Sequence, residues 1–124
     1  MSIIAWDGET LAADKRACLG TLIRTTTKIF RVGTALAGYA GDADRGEEML
    51  AWYNSGAEPK AFPEKQRNDD TWAGLLVILR GGKILKYERS AYPVKFPPQQ
   101  FAIGCGRDFA LAAMYLGNSA SQAV

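Results

Sequence analysis

Short apolar runs broken by turn residues fill the first third of the chain. Residues 2–6 (SIIAW) are apolar and β-prone, Asp7-Gly8 is a hairpin-turn dipeptide, and Thr10 to Ala13 reads as the returning strand. The first 14 residues therefore predict a hairpin, closed by Asp14-Lys15-Arg16-Ala17. Leu19 to Thr27, rich in Thr and Ile, reads as extended. Lys28 to Val32 alternates as a half-buried strand, Gly33 breaks it, and Thr34 to Tyr39 is a strand of small residues.

The period changes after Gly41-Asp42. Met49, Leu50 and Tyr53 recur at helical spacing, Asp44 to Glu47 has capping-box form, and Gly56 suits the position just past a helix end. These signals predict a helix over 43–55. Pro59 to Asp70 is a charged connector with room for a helical turn. Trp72 to Leu79 has the composition of a buried strand, Gly81-Gly82 turns the chain, and Lys83 to Glu88 returns as a second hairpin.

Pro93, Pro97 and Pro98 mark an irregular stretch, and Phe101 to Ile103 a short strand. Gly104-Cys105-Gly106 leads into a helix over 107–116, with Phe109, Ala112, Ala113 and Leu116 as its apolar face. Ser119 to Gln122 has capping-box form and announces another helix just before Val124. Strands, helix, strands, helix is an α+β order rather than a βαβ alternation.

Composition narrows the chemistry. With 124 residues, 48% hydrophobic and 23% charged, the chain has the makings of one globular domain over 1–124. A net charge of +2 argues against a nucleic-acid binder that works by neutralising phosphates. Histidine is absent, which removes His-based triads and His-ligated metals. Cys18 and Cys105 alone complete no zinc site, so two free thiols and no metal or cofactor are expected. No signal segment and no apolar run near the ~20 residues of a membrane span is present, so a soluble cytoplasmic chain is expected.

Four positions could carry chemistry without histidine. Removal of Met1 would leave Ser2 with a hydroxyl beside a free α-amine, whose pKa of roughly 7.7–8.0 suits a base near neutral pH. Asp14 lies in a charge cluster at a strand end, and Lys28 opens an apolar strand; the plainer reading of both is solvated surface. Gly38 lies in Gly38-Tyr39-Ala40-Gly41-Asp42, a strand-to-helix junction. Free N–H groups there suit an oxyanion, and the plainer reading is a tight turn.

In order, Ser2-Ile3-Ile4, Ala13-Asp14-Lys15-Arg16-Ala17, Lys28-Ile29, Ala37-Gly38-Tyr39-Ala40-Gly41-Asp42-Ala43 and Gly104-Cys105-Gly106 make a pattern over residues 2–116. It resembles the N-terminal-nucleophile (Ntn) hydrolases of the proteasome β-subunit and HslV class. The resemblance implies a four-layer αββα sandwich, incomplete at its C-terminal end. It implies Ser2 as nucleophile in place of the usual Thr, with its α-amine relaying the proton. Lys28 would favour loss of the hydroxyl proton, Asp14 would hold Lys28, and the Gly38 N–H would receive the oxyanion. Cys105 would take a supporting serine's place rather than act as a nucleophile. A peptide or protein substrate, a homo-oligomer and an ATPase partner are the partners implied.

The family's Asp and Ser-Gly-Gly supports of the amine have no counterpart before Val124, and family chains are longer. This keeps open a non-catalytic subunit acting as a binding or accessory protein, phage-associated for example. A nucleotide binder is a third reading, from Gly104-Cys105-Gly106 and Ala110 before a helix. No βαβ unit follows to support it.

Overall fold

The computed structural model describes residues 2–19 and 21–124, and the side chains of all of these except Cys18 and Leu19. Its strands are β1 (Ile4–Trp6), β2 (Leu11–Ala13), β3 (Arg16–Leu19), β4 (Leu22–Thr25), β5 (Ile29–Val32), β6 (Ala35–Gly41), β7 (Ala73–Ile78), β8 (Ile84–Tyr87), β9 (Val94–Phe96) and β10 (Phe101–Ile103). The helices are α1 (Ala43–Asn54), α2 (Glu64–Asn68), α3 (Arg107–Tyr115) and α4 (Ala120–Ala123), with a 3-10 turn at Pro59–Ala61. All pairings are antiparallel, in a sheet ordered β10-β1-β2, a ribbon β3-β4 and a sheet ordered β5-β6-β7-β8-β9. The arrangement is α+β.

Three apolar clusters hold these pieces together. Met49 and Trp52 of α1 pack on Tyr39, Leu75, Val77 and Tyr87 from one face of the larger sheet. Leu76, Ile78 and Ile84 on its other face meet Ile4, Trp6, Leu11 and Ile103 of the smaller sheet. Behind that sheet, Ala5 and Ala102 meet Ala110 and Met114 of α3 and Ala120 of α4. β7 sends successive residues to opposite faces and both are covered, so Leu75, Leu76 and Val77 are each fully buried. Each such side chain contributes about 1.5–3 kcal/mol relative to exposure.

Several expectations need correction. Asp14 to Ala17 do not simply close the first hairpin: Arg16 and Ala17 open β3, and the stretch expected only to be extended is half of the β3-β4 ribbon. The cap of α1 is Asp42, whose carboxylate accepts the Arg45 N–H at 3.0 Å, while Asp44 sits in the first turn. Gly41, with φ +111°, turns the chain out of β6 in time for that cap. The proline-marked stretch holds a strand, β9, which lies at the sheet edge, where flanking prolines cost no ladder bond.

The apolar face assigned to the third helix is also wrong. Phe109 and Leu116 are 75% and 79% exposed, and the buried residues are Ala110 and Met114. The surface beneath is Ala5 and Ala102, so the face that docks closely is the one with the small residue. The capping box at Ser119 is present, with Ser119 Oγ accepting from Gln122 N and Gln122 Oε1 accepting from Ser119 N.

Candidate active site

Asp14 follows β2 directly, and the β1-β2 ladder runs on to it: the Asp14 N–H donates to Ile3 O at 3.2 Å. The Ile3 N–H donates back to Asp14 Oδ1 at 2.9 Å, and the Arg16 N–H donates to Oδ2 at 3.1 Å. The carboxylate is thus fixed by the backbone before any side chain reaches it.

Lys28 supplies that side chain. Its Nζ lies 3.0 Å from Oδ1 and 2.9 Å from Oδ2 of Asp14, and 3.2 Å from Ser2 Oγ. Only 5% of Lys28 is exposed, so it is neither a solvated surface residue nor a snorkelling one. Burial pushes the Asp14 carboxyl up, but the Ile3 N–H, the Lys28 ammonium and the Arg16 N–H outweigh it. The net result is a pKa below the ordinary carboxylate value.

Ser2 is anchored from the other side. Its carbonyl oxygen accepts the Gly106 N–H at 3.3 Å. Gly104, with φ +98°, passes so close that a Cβ there would lie 2.8 Å from the Ser2 carbonyl carbon and overlap its oxygen. The Gly104-Cys105-Gly106 turn is therefore the clamp on the second residue of the chain. Cys105 is a free, exposed thiol on that clamp, and the expectation for the Cys18 thiol lies outside the described side chains.

Ser2 and Lys28 open into a cavity of about 730 Å³, whose wall also includes Tyr39, Gly41 and Cys105. Gly38 is not among its lining residues. Asp42 N donates to Trp72 O and Tyr39 N to Lys28 O, and these two bonds fix the alternation along β6. Gly38 then turns its N–H toward Leu76 of β7, as Ala40 does toward Gly74. Tyr39 faces β5, and so does Gly41, beyond the point where β5 begins. Gly41 lines the cavity, and its N–H is turned away from β7 with no residue of β5 opposite it. Gly38 has another constraint: a Cβ there would come 3.0 Å from the Cγ2 atoms of both Ile4 and Ile29.

Sequence reasoning also missed what lies beneath Lys28. The Tyr39 N–H donates to the Lys28 carbonyl at 3.1 Å, and Tyr39 Oη donates to Glu47 Oε1 at 2.8 Å. Burial, then the hydrogen bond and charge of Glu47, push the Tyr39 phenol up to about 12. Gly46 lets the ring pass under α1, since a Cβ there would lie 2.5 Å from Tyr39 Cγ. No local sequence signal links Glu47 to Tyr39; the link needs the strand and helix packed together. Among the described residues no group of three His, Cys, Asp or Glu is placed to hold a metal, and no helix is long and apolar enough to cross a membrane.

No protein-family model matches the sequence, and no curated protein does. Solved structures do resemble it. Thiobacillus denitrificans BPH, solved in complex with epoxomicin, superposes with a TM-score of 0.66 at 17% identity, over 98% of this chain and 84% of that one. The eukaryotic HslV from Trypanosoma brucei gives a TM-score of 0.64 at 20% identity, over 97% of this chain and 83% of that one. At such identities the likeness establishes the fold, which is of the HslV and proteasome β-subunit kind.

Proposed function

We propose that this chain is an Ntn-type peptidase, an amide and ester hydrolase, whose nucleophile is Ser2 once Met1 has been removed. The observation that carries the reading is the buried Lys28 ammonium, 3.2 Å from the Ser2 hydroxyl and held by both oxygens of Asp14. Folding alone does not call for a buried cation aimed at a serine hydroxyl. Residues 1–124 are read as one proteasome β-subunit/HslV-like domain. The order of the three apolar clusters supports the αββα sandwich as its architecture.

In this mechanism Ser2 Oγ attacks the substrate carbonyl while its proton passes to the Ser2 α-amine. The Lys28 charge lowers the cost of negative charge on Oγ, and Asp14 keeps that charge oriented. The oxyanion is received by a backbone N–H of the β6-α1 junction, and Gly41 takes this role in place of Gly38. The α-amine returns the proton to the leaving amine, and water then hydrolyses the acyl ester. Homo-oligomerisation, an ATPase partner and a cytoplasmic setting belong to the same reading.

The test is hydrolysis of small peptide and ester substrates by protein whose N-terminus is sequenced and begins at Ser2. Turnover and covalent labelling at Ser2 are expected, and both should be lost in Ser2→Ala and in protein that retains Met1. Ser2→Thr should retain activity. If the processed protein neither hydrolyses nor labels, the chain is a non-catalytic member of the fold.

A further inference from the structure

Six charged residues line the cavity beside Ser2: Arg16, Lys28, Asp42, Lys86, Glu88 and Arg107. Most of this charge is matched locally. Lys28 is neutralised by Asp14 at 2.9 Å, and Lys86 pairs with Glu88 at 2.8 Å. Asp42 is turned to α1, where it caps the Arg45 N–H at 3.0 Å and lies 3.9 Å from Arg45 Nε. Arg16 and Arg107 remain, and among the described residues neither has a carboxylate within ion-pair distance.

Both arginines are tied to the framework of the site. The Arg16 N–H donates to the Asp14 carboxylate at 3.1 Å. Arg107 Nη1 donates to Gly104 O at 3.1 Å, in the turn whose Gly106 N–H holds Ser2. They reach one cavity from two elements, β3 and α3. A guanidinium presents a planar fork of donors that matches a carboxylate in two-point contact. Two unmatched forks make the cavity a receptor for anions, and a hydrolase acting on peptides meets anions as carboxylates.

We infer that the site selects peptide segments carrying a carboxylate beside the position of attack, and that Arg16 and Arg107 are the residues that select it. The inference rests on the reading of this cavity as the peptide site. The carboxylate has two sources in a peptide, an acidic side chain or a free C-terminus, and Arg16 and Arg107 would bind either.

The experiment is an NMR titration of the full chain as Ser2→Ala, so that binding is read without turnover. Four alanine-based hexapeptides serve as probes: a central Glu, Gln or Lys with an amidated C-terminus, and a central Gln with a free C-terminus. Exposed ion pairs being modest one by one, the Glu or the free-carboxylate peptide should bind about 5- to 10-fold more tightly than the amidated Gln peptide, and the Lys peptide most weakly. Which of the two carboxylate peptides gains identifies the source. The preference should shrink to within about 2-fold in a variant that also carries Arg16→Gln and Arg107→Gln, and should weaken as salt is raised. Both arginines are exposed, so these changes leave the fold intact, which a thermal melt verifies. Equal binding of all four peptides, no binding by any, or a preference that survives loss of both arginines overturns the inference. Carboxylate-selective binding by a protein that does not label at Ser2 when processed would leave the inference standing and remove the hydrolase.

Discussion

Lys28 and Asp14 are not equal partners. The lysine is 5% exposed and, among the described residues, its Nζ has Ser2 Oγ as its one further hydrogen-bond partner, whereas the carboxylate is 20% exposed and also accepts two backbone N–H groups. Removing one side of a buried pair costs most where the remaining charge has least help, about 3–5 kcal/mol for an uncompensated ion. Asp14→Ala should therefore destabilise more than Lys28→Met in denaturant unfolding, while both abolish turnover. Equal losses of stability would contradict this asymmetry.

The same carboxylate sets an acid limit. Asp14 and Asp7 are both held below the ordinary carboxylate value in the folded chain, Asp7 because the Ala120, Thr10 and Glu9 N–H groups outweigh its desolvation. A depressed acid contributes stability that is present above its unfolded pKa, near 4, and lost as pH falls through the folded value. Thermal midpoints should be flat with respect to these two groups above pH ~5 and should fall below pH ~4. Asp14→Asn should flatten part of that fall.

Tyr39 sets a limit at the other end. Its phenol is raised to about 12 from 10.0, so the neutral form is favoured in the folded state. The contribution is complete below pH 10 and is lost as pH rises toward 12. Tyr39→Phe should remove this alkaline loss in a pH series of melts. It should also loosen the segment before Lys28, whose Thr27 carbonyl lies 3.4 Å from Tyr39 Oη, seen as faster amide exchange there.

Gly46 gives a prediction of sign. Glycine to alanine within a helix ordinarily stabilises by about 1 kcal/mol. Here the new methyl would meet the Tyr39 ring, 2.5 Å from Cγ and 2.7 Å from Cε1. Gly46→Ala should instead destabilise by about 1–3 kcal/mol, the usual cost of overpacking. Equilibrium unfolding decides it, and a gain in stability would mean that the ring can move aside.

Asp7 ties the two ends of the chain. Its Oδ2 accepts the Ala120 N–H at 2.9 Å, while Oδ1 accepts the Glu9 and Thr10 N–H groups. Asp7→Ala should cost about 1–2 kcal/mol and speed hydrogen exchange at Ala120. Exchange at Ala120 that did not change would mean that Ser119 caps α4 unaided.

Local signals carried much of the fold. Turn dipeptides placed the β1-β2 and β7-β8 hairpins, because Gly8, Gly81 and Gly82 adopt the positive φ that most residues avoid. Helical spacing placed α1, and the Ser119 capping box placed α4, since both signals are contained within a few residues. The motif order drew attention to Ser2, Asp14 and Lys28, which the fold brings into hydrogen-bond contact.

What the sequence could not supply depends on which surfaces meet. The buried face of α3 was decided by the small residues Ala5 and Ala102 beneath it, not by the larger apolar residues on its far side. Gly38 and Gly41 look equivalent as donors along the chain, yet the β6-β7 register engages the N–H of one and leaves the other, which lines the cavity, facing away from β7. Asp7 with Ala120, Tyr39 with Glu47, and Arg16 with Arg107 are joint features of elements distant in sequence or differing in kind. A turn or a cap is an energy of neighbouring residues and can be read locally. A face, a register or a shared cavity is an energy of packing, and exists only once the chain has closed on itself.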